Sequence, residues 1–93
     1  MIIKKISIEN METSGGGKVP NQFKVFTPDG CYFQSYSSLI AFRPIRGGQV
    51  VLDQNKWNYS KTTGKYRNQF LRETKKETEQ KIKSGVYILA DLN

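Results

Sequence analysis

Residues Trp57–Gly85 read W-N-Y-S-K-T-T-G-K-Y-R-N-Q-F-L-R-E-T-K-K-E-T-E-Q-K-I-K-S-G, and this is the one stretch with clear helical grammar. Ser60 and Thr62 each offer a side-chain oxygen to cap a first helix running to about Leu71, with Thr63, Tyr66 and Phe70 on one stripe. Gly64 inside that helix costs about 1 kcal/mol relative to alanine, so a start near Gly64 is also open. Thr74-Lys75-Lys76-Glu77 is a capping box, in which the hydroxyl and the carboxylate satisfy each other's orphan backbone donors. It opens a second helix that closes at Ser84-Gly85, where glycine accepts the left-handed conformation. Glu77–Lys81 and Glu79–Lys83 stand four apart in the favourable order. Ile82 is the second helix's one clear apolar anchor, so that helix lies on the surface.

Outward from these helices the chain reads as strands. Ile2–Ile8 alternates, and Val86, Ile88, Ala90 and Leu92 alternate again after Gly85. Gln22–Thr27 forms a strand with Phe23 and Val25 on one face, and Thr27-Pro28-Asp29-Gly30 is a strong turn signal. Cys31–Phe42 returns as one long strand, bent or bulged near Ser37 and Ser38, where its apolar residues change parity. Pro44–Gly48 turns into a further strand through Val50 and Leu52. Residues 9–21 form a flexible glycine-rich loop. The expected fold is α+β: an antiparallel sheet of four to five short strands, with two short helices inserted before the C-terminal strand, in a single domain over residues 1–93.

Composition narrows the chemistry. The formal charge is +7 with no histidine. Met1–Asn55 holds six basic and four acidic residues, a balance of +2, whereas Lys56–Lys83 holds nine against three, a balance of +6. A local excess of this kind draws polyanions more effectively than a diffuse one. Cys31 is the single cysteine, which excludes an internal disulfide and fits a reducing, cytoplasmic setting. The first residues alternate and lack the continuous apolar run of a signal peptide, and no run reaches transmembrane length.

Catalytic readings fail one after another. Without histidine there is no imidazole base, and Cys31 at a strand start reads as a packed residue rather than an activated thiol. One cysteine and scattered carboxylates supply no metal-ligand cluster, and no cofactor is expected. Ser14-Gly15-Gly16-Gly17-Lys18 suggests a phosphate-cradling loop, but that motif needs Gly where Glu12 stands and Ser or Thr where Val19 stands. Glu73 and Glu77 are explained by capping and lysine pairing. The expectation is a protein that is not an enzyme.

Binding is the better reading. Lys61, Lys65, Arg67, Arg72, Lys75 and Lys76 form the candidate surface for nucleic acid or a nucleoprotein partner, with Tyr36 and Tyr59 as candidate aromatic contacts. The first helix's N-terminus adds free N–H groups beside Ser60, Thr62 and Thr63, which suits an anion. Trp57 and Tyr66 read as core rings more than as stacking platforms, since so small a chain has few large rings to spare. A Tyr-rich strand over Tyr32–Ala41, or a sheet edge, is the alternative surface, through which the chain would inhibit a host enzyme or defence nuclease; self-association, as in a homodimer, is a third possibility.

The runs F-Q-S-Y-S-S-L-I-A at Phe33–Ala41 and W-N-Y-S-K-T-T-G-K-Y-R-N-Q-F-L at Trp57–Leu71, with Gly48, Val50 and Leu52 between them, resemble a family of small uncharacterised proteins of bacteriophages and mobile elements. The resemblance covers roughly residues 19–93 and carries no catalytic residues. It implies an accessory protein in the cytoplasm of a bacterial host. Proteins of that kind bind DNA, modify host regulation or block defence systems such as CRISPR nucleases.

Overall fold

The computed structural model describes residues 5–93, so Ile2 and Ile3 of the expected first strand lie outside the described residues. Six strands and two helices follow in order: β1 Ser7–Glu12, β2 Lys18–Thr27, β3 Gly30–Ser35, β4 Ser38–Pro44, β5 Val51–Asp53, α1 Lys61–Leu71, α2 Lys75–Lys83 and β6 Ile88–Ala90. The strands lie in the sheet in sequence order, antiparallel from β1 to β5, with β6 parallel to β5. The architecture is α+β as expected, with more strands than expected and one parallel pair. A parallel return needs a long crossover, and both helices supply it.

The extra strand comes from Cys31–Phe42, which is two strands and not one bent strand. Ser35 pairs with Ser38 across a reversal at Tyr36–Ser37. Tyr36 sits at φ 55 there, held by its N–H to Asn21 O (2.7 Å) and by Gln34 Nε2 donating to its carbonyl (2.7 Å). The inserted residue behind the parity change exists as well, as a register shift between Phe33 and Gln34 that leaves Ile40 and Ala41 both buried. Residues 9–12 and 18–21 belong to β1 and β2, so only Thr13–Gly17 remains of the expected glycine-rich loop, tied by Thr13 N–H to Gly17 O at 2.8 Å. Gly30 is required by close approach, since a Cβ there would collide with the backbone of Arg43 and Pro44 and with the Phe42 ring.

Register divides the sheet into two faces. Phe33, Ala41 and Leu52 share one row, each fully buried beneath the helices. The Phe33 and Phe70 rings stack at 5.8 Å, and the hydroxyls of Ser35 and Thr63 share a hydrogen bond of 3.0 Å beside them. Ile8, Val25, Tyr32, Phe42, Val51 and Ile88 form the adjacent row, which points to the opposite face. Val86 and Ile88 are exposed and Tyr87 is buried, while Leu89, paired with Leu52 in the inner row, is exposed at this edge of the sheet. Phe23 and Val25 share that open face and are half-buried.

Ser60 caps α1 by accepting from Thr63 N, and Gly64 lies inside the helix rather than at its start. Thr74 and Glu77 form the capping box of α2, and Gly85 follows at φ 80. Thr63, Tyr66, Arg67 and Phe70 are the buried stripe of α1. Trp57 is half-buried against the core, and Tyr66 belongs to it. Cys31 is buried, and burial pushes its thiol pKa above the ordinary value. No helix among the described residues is long and apolar enough to cross a membrane.

Candidate nucleic-acid interface

The loop after β5 and the first two turns of α1 enclose an open depression of about 770 Å³, lined by Asn58, Tyr59, Ser60, Lys61, Gly64, Lys65, Arg67, Asn68 and Lys75. Among the described residues no carboxylate lines it, and α1 has no acidic residue in its first turn. Lys61 is the first residue of α1 and Lys65 lies one turn on, at the end where the helix dipole disfavours cations. Helix stability therefore does not explain their position.

Of the six candidate cations, Lys61, Lys65, Arg67 and Lys75 meet in this depression, and Arg72 and Lys76 are exposed outside it. Arg72 is instead the left-handed C-cap of α1, with its backbone N–H on Asn68 O. Arg67 is the correction among them. Its residue is 1% exposed, so it is not a surface cation. The helical period places it on the same stripe as Thr63, Tyr66 and Phe70, and the stem must enter the protein. Its Nη1 donates to Trp57 O (2.7 Å) and Asn58 Oδ1 (3.3 Å), and Nη2 donates to Asn68 Oδ1 (2.9 Å). The guanidinium lies 5.2 Å from the Trp57 ring. Every one of these partners is neutral, and Nε has no partner among the described residues. Burial lowers the Arg67 pKa, while Glu73 and Glu79 act only as charges at a distance that raise it. The cation is enclosed without a counter-charge.

Lys81 shows the opposite arrangement. Among the described residues it forms the single ion pair, with Glu73 at 2.6 Å. Glu73 also accepts from Thr78 Oγ1 (2.6 Å) and Tyr87 OH (2.8 Å), which ties α2 to the start of β6. The expected Glu77–Lys81 pair does not form, because Glu77 is engaged in the capping box. Glu79–Lys83 is likewise no ion pair within the described residues.

Tyr59 is 46% exposed at the rim of the depression, with Lys56 Nζ 5.0 Å from its ring centroid. Tyr36 is exposed at the β3–β4 turn and does not line the depression. Asn58, Asn68 and Gly64 were not singled out by sequence reasoning. The two amides carry no pattern of their own, and the glycine reads from sequence only as a cost to the helix. No group of three or more His, Cys, Asp or Glu able to hold a metal occurs among the described residues. Residues 4–85 match the model of a family of unknown function (DUF8033). No curated protein and no solved structure matches the chain.

Proposed function

We propose that this chain, which belongs to that family of unknown function, is a non-enzymatic accessory protein that binds nucleic acid through the depression at the N-terminal end of α1. One observation carries the reading: Lys61, Lys65, Arg67 and Lys75 converge where, among the described residues, no carboxylate balances them. A phosphate backbone supplies the missing charge, and release of its condensed counterions drives association. The resemblance of Phe33–Ala41 and Trp57–Leu71 to phage and mobile-element proteins makes DNA or a nucleoprotein complex in a bacterial host the working target.

Fluorescence anisotropy with labelled single-stranded and duplex DNA, read across a salt series, tests it. Affinity is expected to fall steeply as salt rises. Undetectable binding at low salt, or binding indifferent to salt, removes the proposal.

A second reading rests on the open sheet face. Tyr32 and Phe42 lie at its centre with ring centroids 4.5 Å apart, flanked by exposed Ile8 and Ile88. An apolar row of that kind suits a protein partner, such as a host defence enzyme that the chain would inhibit. The double charge reversal Lys61→Glu and Lys65→Glu separates the readings, since it abolishes nucleic-acid binding under the first and leaves inhibition intact under the second.

A further inference from the structure

We infer that the depression takes one nucleotide unit of a single strand, its phosphate beside the Arg67 guanidinium and its base on the Tyr59 ring; this rests on the nucleic-acid reading above and specifies it.

Gly64 carries the inference. It stands inside α1 without a left-handed φ, and a Cβ built on it meets only Arg67 Nη1 and Nη2, at 3.8 Å, an ordinary contact distance. Neither backbone conformation nor packing demands glycine, although glycine weakens a helix interior. What its missing side chain does is omit the group that would stand 3.8 Å from both Nη atoms, on the side of the depression that Gly64 and Arg67 both line. Arg67 is almost wholly enclosed, its other partners are neutral oxygens, and Nε is unpartnered among the described residues. A buried cation so arranged is completed by an anion from outside. Lys61, Lys65 and the N-terminal end of α1 line the same depression.

Geometry selects a single strand over a duplex. Four basic residues line this one depression, and Arg72 and Lys76 are not part of its lining. The exposed Tyr59 ring offers a base a stacking surface, and only an unpaired base can reach it.

Trp57, the only tryptophan, lies beside the guanidinium and reports occupancy by its emission. The test titrates wild-type, Gly64→Ala and Tyr59→Leu proteins with oligothymidylate, with a duplex of equal length and with inorganic phosphate. The expected results are tighter binding of oligothymidylate than of duplex, with a change in Trp57 emission. Gly64→Ala is expected to melt at a higher temperature yet bind oligothymidylate about tenfold more weakly, and Tyr59→Leu to weaken it similarly. Inorganic phosphate is expected to compete weakly at the same place. Equal binding of duplex, or unaltered binding by both variants while Lys61→Glu still weakens it, overturns the inference and leaves the broader function standing. If no oligonucleotide binds, both fall.

Discussion

The two helices come from one basic stretch and treat charge in opposite ways. The inner side of α2 is tied by a paired charge: Glu73, at the junction of the helices, accepts from Lys81, Thr78 and Tyr87. α1 places a guanidinium on its own buried stripe, meets it with neutral oxygens and adds lysines at its positive end. The first arrangement holds a helix to a sheet. The second stores unbalanced charge at a surface opening. Net charge over the stretch, which treats the two alike, hides this difference.

The contrast can be broken most strongly at the apolar anchor of α1. Phe70→Ala removes the ring stacked on Phe33 and is expected to cost about 3–5 kcal/mol in urea denaturation. α2 has no comparable anchor, its one buried residue being Thr78, so its weak point is polar. Glu73→Gln is expected to cost about 2 kcal/mol by the same measurement, because hydrogen bonds to a charged acceptor are lost. It also changes the acid response. Burial raises the Glu73 pKa, but hydrogen bonds from Lys81, Thr78 and Tyr87 outweigh it and set the carboxyl below its ordinary 4.5. A carboxyl depressed on folding contributes stability above its unfolded value and loses it as pH falls through the folded one. Between pH 6 and about pH 3 the wild-type melting temperature should therefore drop further than that of Glu73→Gln.

Smaller changes sharpen the comparison at the caps. Thr74→Ala removes one side of the capping box and is expected to cost about 1 kcal/mol, seen as a lower urea midpoint with unchanged slope. The smallest effect on folding belongs to Lys65→Glu. It should leave the melting temperature nearly unchanged while lowering the salt slope of DNA binding by about one or more. A stability loss comparable to that of Thr74→Ala would mean that Lys65 serves the fold.

Much of the helical region was legible because its signals are local. Ser60, Thr74, Glu77 and Gly85 act through atoms within a turn of themselves, and each stands where the sequence places it. The reversal at Tyr36–Ser37 was not legible, since it contains no Gly, Pro or Asn. It is held by Asn21, a residue on another strand, and by Gln34. Strand β6 shows a different limit: alternation reveals two faces but not which one a short edge strand turns inward. At the candidate site the lysines were legible as charge. The enclosure of Arg67 was written in the spacing of Thr63, Tyr66 and Phe70, although a charged residue on that stripe does not announce where its head group ends.

The parallel pairing of β5 with β6 also orders events in time. β1 to β4 are joined by short turns and can assemble as successive hairpins at little loop-closure cost. β6 cannot reach β5 until the intervening segment with both helices has compacted, so the sheet's last edge is set by the slowest-forming contacts. Leu89→Ala should then accelerate unfolding in stopped-flow chevrons and leave the refolding rate almost unchanged. The depression at the start of α1 lies within that late-closing segment, so under the proposed function the chain would become competent to bind only near the end of folding.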